Sequence, residues 1–364
     1  MVYRAIGIVS GSSLNGLDIA FAELQESSGK WSAEIIVGER IPYDNEWKEQ
    51  LRNAGSLSVF DYHALHIAYG KYLAAAIGDF IDRYQLHFKT QLIAFQGHTS
   101  IYKSDLQMCA QLGDPATISA LTGINVVSDV RSVDLALGGR GAPVFPVAEK
   151  LLFTDNNLFL HIGSNANIAL HHDGNYKSFD VCPANRILDL VAQQSGKAYD
   201  ANGAMAAEGT VDINLLNILN DLEYYHLPLP KTLSADFATD VLYPLISPSL
   251  SVEDALRTVC EHIADHVAAA VTILTANQLL ATKRLFVTGG GANNQFLVER
   301  VRQKLAAAGT TVVVPDPLII NFKEPLAIAL IGVLRWREEN NVFAYITGAS
   351  RDSIGGSVWI GQEA

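Results

Sequence analysis

Cysteine is scarce: Cys109, Cys182 and Cys260 are the only three in 364 residues. An odd, widely spaced set offers neither a disulfide framework nor a C-x-x-C metal or redox pair. A reducing compartment, the cytoplasm, is the expectation. Positive charge is also short, with 26 Lys and Arg against 38 Asp and Glu and a net charge of −12. Such a surface repels a phosphate backbone, so nucleic acid is not an expected partner. No basic and apolar leader precedes the first β-pattern at Tyr3 to Val9. The most apolar helical stretch, Val267 to Ala281, is interrupted by Thr272, Thr275, Asn277 and Gln278 and is too short to cross a bilayer, so no membrane partner is expected. Both standard nucleotide fingerprints are missing as well: there is no G-x-x-x-x-G-K-[ST] run and no G-x-G-x-x-G opening a helix near the start. A P-loop fold and a Rossmann dehydrogenase lose their support together.

What is present is a chain that is 49% hydrophobic and long enough to build two α/β lobes. Tyr3 to Val9, Asp18 to Leu24 and Ser32 to Tyr43 read as a β-meander, followed by an amphipathic helix over Ser56 to Tyr84. Gln91 to Phe95 and Asn125 to Asp129 are short apolar strands that run into polar loops. The opening then repeats: Asn157 to Ile162 enters the turn Gly163-Ser164-Asn165-Ala166-Asn167 and leaves through Ile168 to His171. Ser251-Val252-Glu253-Asp254 caps a second long helix, and Lys283 to Thr288 is a strand ending in Gly289-Gly290-Gly291. No flexible linker separates the halves, so a tight crossover near Pro143 to Ala148 is expected, with lobes 1–143 plus 331–364 and 144–330.

Three Gly/Ser/Asn turns each follow a strand: Ser10-Gly11-Ser12-Ser13, Gly163-Ser164-Asn165 and Gly289-Gly290-Gly291. Each lets backbone N–H groups face an anion with no Cβ in the way, although any one of them alone reads as an ordinary tight turn. A phosphate hairpin in each half with a glycine triplet in the second resembles the actin-like ATPase and sugar-kinase superfamily. The succession GIVSGSSLNGLD, GHTS, QLGDPATISALTGINVVSDVR, GGRGAPVFP, LHIGSNANIAL, FDVCPANRILD, VTGGGANN and KEPLAIAL resembles the anhydro-N-acetylmuramic acid kinase family over nearly the whole chain. Its most specific part is Gln111 to Pro146.

That resemblance implies a two-lobed actin-like ATPase fold of ribonuclease H-like type, with ATP in a cleft between the lobes and Mg2+ as cofactor. It also implies a small sugar substrate and a homodimer. Family members use ATP and water to open the 1,6-anhydro ring and phosphorylate O6. By motif position Asp180 is the implied base, and Gln96, His98, Asp129, Arg131, Asp134 and Glu324 the implied sugar-binding residues. The implied ATP contacts are Ser10, Gly11, Ser12, Ser13, Asn15, Gly16, Asp18, Gly163, Ser164, Asn165, Gly289, Gly290, Gly291 and Asn293, with Asp18 also the implied metal ligand.

Each of these residues has a plainer reading. Asp180 alone reads as a loop carboxylate before a helix, Glu324 as charge complementation at a helix start, and Asp129 with Arg131 as an ion pair. His262 and His266, four apart, read as an exposed or capped helix pair rather than metal ligands. Several positions also depart from the family pattern: Ser12 and Asn15 replace Thr and Asp, Ser164 and Ala184 replace glycines, and Gln96 and His98 exchange places. Leu233-Ser234-Ala235-Asp236 replaces a Thr-Gly-Arg-Glu run. An active kinase for this sugar, a divergent kinase for another amino sugar and a non-catalytic binding protein all remain open on this pattern.

Overall fold

Apolar residues on both faces mark the first strand as central: β1 (Val2–Ser10) is buried from Ala5 to Ser10. It pairs antiparallel with β2 (Leu17–Ser27), which pairs antiparallel with the half-exposed β3 (Lys30–Ile41). On its other side β1 pairs in parallel with β4 (Leu92–Phe95); β5 (His98–Lys103) and β6 (Met108–Leu112) form a separate hairpin, and β7 (Asn125–Ser128) lies parallel to β4. The 26-residue helix Val59–Tyr84 begins where the Ser58 hydroxyl accepts from the Asp61 N–H and ends at Gln85 in the left-handed region. Its inward residues Leu65, Tyr69, Leu73, Ile77 and Phe80 recur at helical spacing and join the strand side chains in one core. Every residue of this computed structural model is described except Ser12, Ser13, Ala235, Asn277, Glu363 and Ala364, with Ser104 described by its backbone alone.

The topology then recurs. Strands β8 (Leu158–Ile162), β9 (Asn165–His172) and β10 (Asn175–Pro183) form an antiparallel meander, while β11 (Lys283–Thr288) pairs in parallel with β8 and β12 (Thr310–Val313) in parallel with β11. The order β10-β9-β8-β11-β12 repeats β3-β2-β1-β4-β7, to which β13 (Ser357–Trp359) adds an antiparallel edge. Two units of this order are the ribonuclease H-like arrangement of actin-like ATPases. A second core lies between this sheet and the helix Val252–Thr275.

The compact units are 1–154 with 322–364, and 155–321. The breaks thus differ from 143/144 and 330/331. Helix Pro146–Leu152 packs on β3, and its buried Glu149 accepts from Lys323 Nζ at 3.0 Å, so both segments belong to the first unit. Among the described residues one helix, Pro317–Trp336, has the length and apolarity to cross a membrane; it is mostly buried in the protein. It is broken at Phe322 (φ −126°, ψ 20°) and carries Lys323, Glu324 and Pro325. Pro325 falls in the first turn after the break, where its missing N–H costs little. Its carbonyl lies against Gly7 so closely that a Cβ there would sit 1.8 Å from the oxygen. The stretch from Val267 belongs to the helix that ends at Thr275.

His262 is buried and His266 half-buried, so of the exposed or capped pair expected from spacing the exposed alternative does not hold. His262 Nε2 meets the Tyr225 hydroxyl at 2.8 Å and Nδ1 meets Asn220 Oδ1 at 2.6 Å, while the His266 ring stacks on Tyr225 at 3.6 Å. Among the described residues no cluster of three or more His, Cys, Asp or Glu is placed to hold a metal. Burial holds His262 well below its ordinary value and pushes His266 down to about 4, with Asp265 opposing and Lys231 and His226 reinforcing the shift at His266. An unfolded chain takes up these protons near the ordinary value of about 6.5, which the folded chain refuses. Their contribution to stability is therefore complete above pH about 6.5 and is lost as pH falls toward about 4. Melting temperature measured across this window should fall more steeply for the wild type than for His266→Gln. Parallel profiles would contradict the assignment.

Candidate functional site

Because β1, β4 and β7 run in parallel, the segments that follow them leave from one edge of the first sheet. This is where an open α/β sheet binds ligands. After β1 the turn residue Gly11 accepts from Leu14 N–H at 3.2 Å, and Asn15 is exposed. Gly16 lies under β3, where a Cβ would come within 2.5 Å of the Ile41 carbonyl oxygen. Ser12 and Ser13, two of the expected phosphate contacts, lie outside the described residues.

Ser10 and His98 have a different employment from the one expected. The buried Ser10 hydroxyl is 3.0 Å from His98 Nδ1 and accepts from Tyr43 at 2.8 Å, and Tyr43 lies 2.5 Å from the Tyr69 hydroxyl. His98 Nδ1 is thereby engaged within the first unit. Burial lowers the His98 pKa and pushes the Tyr43 phenol up to about 12. A neutral ring with Nδ1 accepting from Ser10, Ser10 from Tyr43 and Tyr43 from Tyr69 gives each hydroxyl a partner. His98 thus braces the turn after β1.

Asp18 is likewise occupied. Across the β2–β3 register it faces Arg40, whose Nε and Nη2 donate to Oδ1 at 2.6 Å and to Oδ2 at 2.9 Å. This two-point pair holds the Arg40 pKa up, against burial. Asp18 is thus neutralised by a guanidinium, which competes with the metal-ligand role that the resemblance implies for it. Glu324, in the first turn after the break at Phe322, is half-buried. Burial raises its pKa, repulsion from Asp18 adds to the rise, and Lys323 and Arg40 oppose it. Its neighbour Lys323 is paired with Glu149.

At the other two loops the expected residues separate into different roles. The Gln96 amide oxygen faces the Arg131 guanidinium. Arg131 is half-buried, burial lowers its pKa, and no carboxylate among the described residues lies within ion-pair distance of it. Asp129 is exposed, has φ 55° and accepts from Ser132, so it forms no pair with Arg131. Asp134 is 1% exposed and accepts from Gly141 N–H at 2.6 Å and from Thr347 Oγ1 at 2.6 Å. Its carboxylate pins the Gly138–Gly141 loop from a buried position, a structural role the sequence did not suggest.

In the second unit β8 and β11 deliver the other two glycine turns to one sheet edge. Gly163 and Ser164 carbonyls accept from Asn185 N–H at 3.0 Å and Ala184 N–H at 2.8 Å, joining the hairpin to the helix Asn185–Gln193. Neither Ala184, with φ −130°, nor Ser164 takes the positive φ that favours glycine. Gly289 does require glycine, with φ 84° and a Cβ position 2.6 Å from the Ile162 carbonyl oxygen. Gly291 leaves no room for a Cβ against Ile162, whereas Ser164, Gly290 and Asn293 are exposed and Asn165 is half-exposed. Asn185 Nδ2 donates to the Ile162 carbonyl at 3.2 Å. Half-buried Asp180, near the end of β10, accepts from Asn167 Nδ2 at 3.0 Å and from Leu233 N–H at 3.0 Å. Two of its roughly four acceptor positions are thereby used and the others remain for a reacting group.

Reading from sequence missed Arg40, Asn167, Asn185, Lys231 and the Glu149–Lys323 pair. The only available signal was period-two alternation, which puts Asn165 and Asn167 on one face of β9.

The family described as anhydro-N-acetylmuramic acid kinase matches residues 3–361. The anhydro-N-acetylmuramic acid kinase of Hydrogenovibrio crunogenus is 31% identical over 368 residues, covering 97% of each chain. That of Rhizorhabdus wittichii is 34% identical over 336 residues, covering 86% of each, and that of Synechococcus elongatus is 31% identical, covering 98% of this chain and 99% of its own.

Asp134→Ala orphans two buried donors, which should cost about 3 kcal/mol in urea unfolding. A variant of unchanged stability and raised KM for a sugar would restore Asp134 to the binding site.

Proposed function

This chain belongs to the anhydro-N-acetylmuramic acid kinase family, and we propose that Asp180 is the base of its ATP-dependent reaction. The chain is an ATP-dependent kinase for anhydro-N-acetylmuramic acid, a small sugar. The observation that carries the role of Asp180 is its carboxylate geometry. Both oxygens are fixed by neutral donors, no cation neutralises the group within ion-pair distance among the described residues, and acceptor capacity remains.

In the proposed reaction Asp180 takes a proton from water as the water oxygen bonds to C1 and the C1–O6 bond breaks. The freed O6 bonds to the γ-phosphorus as the bond from that phosphorus to the β-bridging oxygen breaks. ADP leaves with the bond electrons, and the proton passes from Asp180 to solvent. The product is N-acetylmuramic acid 6-phosphate. The N–H groups of the turns at Gly11 to Gly16 and Gly163 to Asn165 serve the phosphates, and the Gly289–Asn293 turn serves the adenosine.

Arg131 takes the lactyl carboxylate of the sugar, since a half-buried guanidinium that faces a neutral amide and, among the described residues, no carboxylate within ion-pair distance demands an anion. Glu324, in the first turn after the break at Phe322, hydrogen-bonds the sugar. Magnesium, a cytoplasmic location and a homodimer complete the reading; no carboxylate of the first unit's phosphate turn is assigned to the metal.

ADP release with ATP and 1,6-anhydro-N-acetylmuramic acid tests the base. Asp180→Asn should lower kcat by about 10²- to 10⁴-fold while nucleotide binding persists. Turnover near that of the wild type would remove Asp180 from the chemistry.

A further inference from the structure

We infer that Asn167 is a positioning residue for the Asp180 carboxylate, an inference that rests on Asp180 being the base. Asn167 and Asp180 are direct cross-strand partners in the β9–β10 ladder, so their side chains stand on the same face. Immediately after this pair the register slips between Asp180 and Cys182. A bulge of this kind bends the strand and re-aims the side chain beside it. The strand alone therefore does not determine where the carboxylate points, and its terminal torsion is intrinsically broad.

Two donors remove that freedom. Asn167 Nδ2 holds Oδ1 at 3.0 Å and the Leu233 N–H holds Oδ2 at 3.0 Å. With one fixed donor on each oxygen, the plane of the carboxylate is set at two points. The backbone of Asp180 is tied to the same segment, its N–H donating to the Lys231 carbonyl at 3.1 Å and its carbonyl accepting from the Tyr224 hydroxyl at 2.5 Å. Lys231 Nζ closes this segment on itself by donating to the carbonyls of Tyr224 and Tyr225 at 3.0 and 3.2 Å. Leu233 is thus supplied by a braced loop, and among the described residues Asn167 is the one side chain that donates to the carboxylate. Its amide suits the task for an electrostatic reason. It donates without carrying charge, so it orients the base and leaves it able to accept a proton.

The test is steady-state kinetics with ATP and 1,6-anhydro-N-acetylmuramic acid for Asn167→Ala and the near-isosteric Asn167→Asp. Loss of orientation should lower kcat by about 10- to 100-fold in Asn167→Ala, with KM unchanged for both substrates. Asn167→Asp, which sets a second carboxylate against the first, should lose at least as much at unchanged KM, and it decides the matter if the alanine variant fails to fold. A wild-type kcat in either folded variant overturns the inference, as does a raised KM for ATP at unchanged kcat, which would make Asn167 a nucleotide ligand. Asp180→Asn separates the two levels. If it retains turnover, the base assignment fails and takes this inference with it. If Asp180→Asn is inactive while Asn167→Ala turns over normally, the positioning role alone fails.

Discussion

Parallel backbone pairing of β1 with β4 and of β8 with β11 is the constraint on which the chemistry depends. Paired in parallel, strands from distant parts of the chain end on the same edge of a sheet, and the loops that follow them meet there. Ser10, Gln96 and Asp129 arrive together in the first unit because β1, β4 and β7 share a direction. Gly163 and Gly289 arrive together in the second for the same reason. An antiparallel pairing of the same strands would send these turns to opposite ends. A cavity of about 690 Å3 in the first unit lies at the other end, around Arg4, Leu92 and Asn125 where the strands begin.

Polar groups near these edges are largely committed before any ligand is bound. Tyr69, Tyr43, Ser10 and His98 form one hydrogen-bonded chain, Asp134 holds its own loop, and Glu149 holds Lys323 beside Glu324. Leaving any of these groups buried and unpaired would be costly, which is why the fold supplies each with a partner. The groups left with unmet capacity are therefore informative. Arg131 has a neutral amide where a buried cation wants an anion, and the Asp180 carboxylate is oriented without being neutralised.

Much of the architecture was legible because it rests on local patterns. Strand alternation, the helical stripe of Val59–Tyr84, the cap at Ser251 and the repeated hairpin all depend on residues a few positions apart. The glycine turns were legible too, and Gly289 and Gly291 answer to close approaches of Ile162. The position of the unit boundary was not, because it is decided by the contact of Glu149 with Lys323, 174 residues away. The partners of individual polar residues were illegible for the same reason. Asp18 reads as a loop carboxylate until Arg40 is placed across the strand pair, and Asp134 reads as a cleft residue until Thr347, 213 positions on, closes over it.

The substitutions for glycine at Ser164 and Ala184 show the same division from the other side. A sequence cannot state the φ angle at a turn, and the folded backbone holds neither position at the positive φ that favours glycine. By itself the sequence determined the order of strands and helices, the glycine turns, the family and the residue types available for catalysis, since these follow from short-range periodicity and motif. Only the tertiary structure decided which carboxylate is paired, which is buried and which is poised. Desolvation and hydrogen-bond satisfaction depend on neighbours that the chain brings in from far away.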